Sequence, residues 1–99
     1  MSSPEVDFFR RLESEDNKIM QELPTVQGDH QKTLENYQKR ISLYRKFIGE
    51  TSNLFIQQLL LNRLENILLQ AGMEHIRHEL QTDMAKLTSR IDDLESKRN

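Results

Sequence analysis

Apolar residues recur along most of the chain at the spacing of an α-helix. Between residues 34 and 48 they step by three and four positions, and a similar spacing returns near the carboxyl end. Such steps place the apolar side chains along one side of a helix, and when sustained they make a heptad seam that pairs with another helix. Apolar and polar residues do not alternate over the length of a strand. The pattern predicts an all-α, elongated protein that forms a coiled coil or helical bundle with partner chains.

Turn-forming and capping residues divide the pattern into elements. We predict a short amphipathic helix within residues 1–23, a turn over 24–30, a long helix over 31–71 and a coiled-coil arm over 72–99. Ser3 and Asp29 are suited to cap the first two helices. Gly49 and Gly72 are candidate kinks in the long helix. We expect it to continue through residues 49–53, because apolar residues resume immediately afterwards.

Two narrow apolar stripes flank one wide apolar face at residues 54–71. A wide face indicates contact with more than one helix, so this segment is the predicted core of a bundle. In the last stripe Arg90 takes position g and Glu95 the following e, which face each other in a parallel coil. The predicted interface with partner helices comprises Leu34, Tyr37, Ile41, Tyr44, Ile48, Phe55, Leu60, Leu64, Ile67, Leu68, Ile76, Leu80, Met84, Leu87, Ile91 and Leu94.

The first helix carries a smaller apolar cluster, formed by Phe8, Phe9 and Leu12. Large aromatic side chains often anchor one helix on another, so we expect this cluster to dock on the long helix or on a partner. Insertion of residues 4–23 into a membrane surface is the alternative, because two arginines adjoin the cluster. The surrounding acidic residues would repel anionic lipid and disfavour it.

Composition supports assembly with other chains. Only 35% of the 99 residues are hydrophobic and 30% are charged, so an isolated globule of this size would be marginally stable. The net charge of −2 disfavours nucleic acid as a ligand. The absence of cysteine fits a reducing, intracellular compartment, and we expect the cytoplasm rather than the nucleus.

The sequence lacks the motifs of catalysis. It contains no glycine-rich loop and no Ser-His-Asp combination that could be assembled, and its carboxylates lie in charged runs. His75 and His78 are three residues apart, whereas the zinc-protease signature spaces its helical pair four apart around a glutamate. We therefore predict no enzyme, no catalytic or metal-binding residue, no cofactor and no small-molecule substrate.

A short amphipathic helix followed by a heptad-rich helix, closing in this chain with LTSRIDDLES, resembles the build of small subunits in several eukaryotic assemblies. These include the lysosome-related-organelle and lysosome-positioning complexes, kinetochore complexes and actin-nucleation regulators. The resemblance is architectural and assigns no residue a role. We predict a non-enzymatic subunit or adaptor, with a hetero-complex favoured over a homo-oligomeric coiled-coil scaffold or spacer.

Overall fold

The computed structural model describes residues 3–98 and is helical almost throughout. Helix α1 spans Pro4–Val26, α2 spans His30–Glu50 and α3 spans Leu54–Arg98, and the described residues contain no strand. The chain measures 78 × 25 × 14 Å along its principal axes. The prediction of an all-α, elongated fold is confirmed.

A polar side chain caps the start of each helix. The hydroxyl oxygen of Ser3 accepts a hydrogen bond of 3.2 Å from the backbone N–H of Val6, and a carboxylate oxygen of Asp29 accepts one of 3.0 Å from Lys32. The amide oxygen of Asn53 accepts bonds of 3.0 and 3.2 Å from the first turn of α3. These bonds satisfy N–H groups that have no partner inside a helix, and so they fix where each helix begins.

The predicted continuous helix over residues 31–71 is wrong, because the chain turns back between α2 and α3. Thr51 has an extended backbone with φ −110° and ψ 140°, and its carbonyl oxygen accepts a 2.6 Å bond from the side chain of Gln57. Asn53 then caps the new helix. Residues with short polar side chains satisfy backbone groups outside a helix, and here that preference outweighs helical continuity. Gly72, by contrast, lies within α3, which is continuous there.

The end of α1 is also later than predicted, since the helix continues through Pro24 to Val26. Proline breaks a helix interior by removing an N–H and clashing with the preceding turn. Pro24 is in the last turn, where few helical bonds remain to be lost. The turn is therefore confined to residues 27–29.

The three helices pack into a head, formed by α1, α2 and residues 54–78 of α3, with α2 between the other two. One residue from each helix lies at its centre: Leu12, Phe47 and Leu60 are each at most 1% exposed. The remaining buried apolar residues are Leu43, Tyr44, Ile56, Leu64 and Ile67. Residues 79–98 of α3 form a projecting segment beyond the head.

Substitution of Asn53 tests whether its capping side chain fixes the break between α2 and α3. We expect Asn53→Ala to lower the free energy of unfolding by about 1 kcal/mol, the usual effect of losing an N-cap side chain. Urea denaturation followed by circular dichroism measures the change. Ser52→Ala, an exposed neighbour in the same loop, is the matched control. An equal loss in both variants would contradict a capping role specific to Asn53.

Candidate functional site

Helix α3 carries apolar residues on two opposite sides. Leu60, Leu64 and Ile67 are buried in the head, and nine residues after each stands an exposed apolar residue: Leu69, Met73 and Ile76. Nine residues correspond to about two and a half helical turns, so each exposed residue points away from its buried counterpart. The second apolar side therefore faces away from α1 and α2.

The exposed side continues to the end of the helix as one row, which we call the outer stripe. Its members are separated by three or four residues and are each 55–68% exposed. They run for about 38 Å along the axis and cover roughly 80° of the circumference, from 1.5 Å and 100° per residue. The outer stripe consists of Leu69, Met73, Ile76, Leu80, Met84, Leu87, Ile91 and Leu94.

The outer stripe is as large as the largest apolar patch that a typical monomer exposes. Burial of apolar surface stabilises by about 25 cal/mol per Å², and burial of a large apolar side chain stabilises by about 1.5–3 kcal/mol. Such a side chain therefore has about 60–120 Å² of apolar surface. Eight such residues, each a little more than half exposed, therefore present about 300–600 Å². The largest apolar patch of a typical monomer is of this size and is often functional. The outer stripe is thus a candidate surface for binding another helix.

The predicted interface residues separate into two groups in the structure. Those in α2 and three of the five in the wide face pack within the chain's own head, whereas the others remain exposed. The first group contains Leu34, Tyr37, Ile41, Tyr44, Ile48, Leu60, Leu64 and Ile67, all buried or half-buried. The exposed group contains Phe55, Leu68, Ile76, Leu80, Met84, Leu87, Ile91 and Leu94.

The cluster in α1 also packs inside the head. Leu12 is fully buried, and the ring of Phe8 lies 5.2 Å from that of Phe47 between centroids. The guanidinium of Arg63 lies over the ring of Phe9 at 5.9 Å. In the structure this cluster packs within the chain, where Phe8 contacts Phe47 of α2 and Phe9 contacts Arg63 of α3. The wide face at residues 54–71 is thereby covered on one side from within the chain.

A buried ion pair, which the sequence did not predict, joins α1 to α2. The Arg40 side chain donates hydrogen bonds of 2.7 and 3.2 Å to the two carboxylate oxygens of Asp16, and the Tyr44 hydroxyl donates one of 3.1 Å. The side chains of Asp16 and Arg40 are only 10% and 14% exposed. The one signal in the sequence for the burial of Asp16 was its spacing, because it lies four residues after buried Leu12 and three before half-buried Ile19.

These contacts raise the pKa values of Tyr44 and Arg40. Burial, together with the negative charge of Asp16 and the bond to it, raises the pKa of the Tyr44 hydroxyl. Burial alone would lower the pKa of Arg40, but its hydrogen bond to Asp16 and the attraction between their charges outweigh burial and raise it. Tyr44 therefore remains a donor, and Arg40 a cation, over the ordinary pH range.

The three histidines meet where the amino end of α2 contacts α3. The ring centroids of His30 and His78 are 3.7 Å apart with the rings nearly parallel, and His75 lies 5.9 Å from His30. His75 pairs with Glu79, four residues later on the same helix, at 2.9 Å. Stacked rings present faces to each other, whereas metal-binding lone pairs lie in the ring planes. Among residues 3–98, no three histidine or acidic side chains are arranged to hold a metal ion.

Glu74 anchors this histidine cluster to both helices. Its carboxylate accepts a bond of 2.7 Å from Arg77 and lies 3.2 Å from His30 Nδ1. The bond from Arg77, and then that from His30, lowers the pKa of Glu74 despite its burial. The cluster thus fastens the start of α2 to α3 at the level where the projecting segment begins.

Within the described part of the chain, no helix combines the length and the apolar character needed to cross a membrane. Comparisons with protein-family models, curated proteins and solved structures found no significant match to the chain.

Proposed function

We propose that this chain is a non-enzymatic subunit or adaptor that joins protein chains by helix–helix packing, with the outer stripe as its binding surface. The observation that carries the proposal is the row of eight apolar residues exposed along α3. Burying about 300–600 Å² of it would contribute about 8–15 kcal/mol before the costs of association are subtracted. An intracellular, cytoplasmic setting belongs to the same proposal, since the chain has no cysteine.

The chemistry around the outer stripe favours a helix as its ligand. The rest of the projecting segment carries polar or small residues, with Thr82, Ala85, Ser89 and Ser96 on the side opposite the stripe. A single narrow apolar row with polar flanks is the pattern of a coiled-coil seam. A lipid-binding role for α1 is less well supported, because Leu12 and Phe8 are occupied in packing within the head.

Charges placed within the outer stripe test the proposal. We expect the combined substitution Leu87→Glu and Ile91→Glu to reduce association with any chain at least tenfold, because each interface would have to bury unpaired carboxylates. The measurement is the mass and composition of complexes that a tagged chain forms in the cells that produce it, verified with purified components.

The matched control is Ala85→Glu with Ser89→Glu, which adds the same charge at the same spacing on the polar side of the helix. The control should assemble like the unmodified chain, with equal helical circular dichroism. Undiminished assembly of the Leu87 and Ile91 variant would contradict the proposal. So would a purely monomeric chain, in cells and purified, before any substitution.

A further inference from the structure

We propose that the occupant of the outer stripe is a second copy of this chain, paired with the first in parallel and in register. The inference rests on the proposed function, that the outer stripe binds a helix, and it names that helix. The wide apolar face at residues 54–71 favoured a hetero-complex in the sequence analysis, because one partner helix could not cover it. The structure covers one side of that face with α1 and α2, and the remaining row is narrow enough for one helix.

The residue types in the seam favour two parallel strands. With Met84 and Ile91 at position a, Leu80, Leu87 and Leu94 all fall at position d. Leucine at d together with the β-branched Ile91 at a is the combination that favours parallel dimers, while Met84 at the other a position is unbranched. In a two-fold dimer each of these residues packs against its own counterpart, so one chain supplies both halves of the seam.

Charges beside the seam distinguish the two orientations. In a parallel, in-register pair, Arg90 at position g faces Glu95 of the second copy at e, and two-fold symmetry forms this ion pair twice. An antiparallel pair centred on the outer stripe would instead place Leu80 beside the second copy's Met84. That alignment brings the two copies of Asp83 together near the centre. The parallel arrangement gains attraction and avoids this repulsion.

The first half of α3 points to the same orientation. Phe55, Gln58 and Asn62 precede Met73, Ile76 and Leu80 by eighteen residues each, or about five turns, and so lie on the same side of the helix. Phe55 is 80% exposed, and the side chains of Gln58 and Asn62 are 3.2 Å apart and hydrogen-bonded. Parallel pairing opposes apolar Phe55 to its copy and polar Asn62 to its copy.

The arrangement also satisfies the requirements of space and area. Because α2 packs on the side of α3 opposite the outer stripe and α1 packs on α2, the two heads lie outside the seam and do not collide. Two copies of the stripe bury about 600–1,200 Å² of apolar surface together, which is comparable to the roughly 1,000 Å² expected of a specific interface.

The natural absence of cysteine makes disulfide trapping a clean test of this register. In the full chain, Leu94→Cys should form a covalent dimer in most molecules on mild oxidation, because the two residues 94 are neighbours in a parallel pair. In the antiparallel alignment they would be about 36 Å apart, from 12 residues on either side of the centre at 1.5 Å per residue, far beyond disulfide reach. Ser96→Cys, on the polar side of the same turns, is the control and should remain uncrosslinked.

Sedimentation equilibrium of the unmodified chain completes the test. A mass of twice 11.8 kDa, or 23.6 kDa, is expected over a wide concentration range. Leu87→Cys provides a second trapping position if Leu94→Cys loses helical circular dichroism. A dimer that neither cysteine traps would overturn the parallel register, and a trimeric or larger mass would overturn the two-stranded seam.

A helical monomer at every concentration would overturn self-pairing and leave the proposed function intact, since another chain would then occupy the stripe. The glutamate variants distinguish these failures. If Leu87→Glu with Ile91→Glu forms the same dimer as the unmodified chain, the outer stripe is not the interface. In that case the proposed function and the inference both fail.

Discussion

Phe47→Ala is expected to lower the free energy of unfolding of the head by about 3–5 kcal/mol, the usual range for removing a buried phenylalanine ring. Phe47 is 1% exposed, and its ring contacts that of Phe8 and lies 5.3 Å from the Arg11 guanidinium. A small domain has about 5–15 kcal/mol of stability in total, so this single loss would leave the head largely or marginally unfolded.

The measurement is urea denaturation followed by circular dichroism, with both variants compared at one protein concentration. Phe55→Ala is the matched control, because it removes the same side chain from a position that is 80% exposed in the chain. Both phenylalanine substitutions are best made in a chain that also carries Leu87→Glu and Ile91→Glu, so that dimerisation does not add to the apparent stability. We expect the control to lose less than about 1 kcal/mol. Similar losses in the two variants would contradict the central position of Phe47.

Asp16→Leu is expected to destabilise the head by about 3–5 kcal/mol, because it leaves Arg40 as a buried, unpaired cation. The Tyr44 hydroxyl would lose its acceptor in the same change. The residual exposure of the pair, 10% and 14%, admits some solvent and favours the lower part of that range. Thermal and urea unfolding measure the loss.

A double substitution shows whether the loss arises from the unpaired charge. We expect Asp16→Leu combined with Arg40→Met to recover most of the stability, since replacing a whole buried ion pair by apolar side chains is often nearly neutral. A double-mutant cycle gives the coupling energy directly. If the two losses simply add, the side chains do not interact and the ion pair between α1 and α2 is refuted.

The errors in the predicted helix ends came from residues whose local signal had two meanings. Gly49 and the polar residues after it indicated either a soft position in one helix or a break between two, and the apolar spacing continued on both sides. The folded chain favours the break between two helices. When α3 folds back, the capping bonds of Asn53 form together with the burial of Ile56 and Leu60. The gain from packing against α2 is invisible to a pattern read along the chain.

The ion pair and the histidine cluster were not predicted because each joins residues that are far apart in the sequence. Asp16 and Arg40 are 24 residues apart, and His30 and Glu74 are 44 apart. Spacing along one helix predicts neighbours three or four residues away, such as His75 and Glu79. It gives no information about which side chains a turn brings together.

The sequence alone predicted the helical periodicity, the caps at Ser3 and Asp29, and the row of apolar residues from Ile76 to Leu94. Each of these features depends on neighbours within one or two helical turns. Which apolar side of residues 54–71 is covered was decided only by tertiary packing. A three-residue break lets α3 fold back on α2, Leu60 and Leu64 become buried, and the opposite side remains exposed. Periodicity places side chains on a face of a helix, but only the path of the whole chain determines what that face meets.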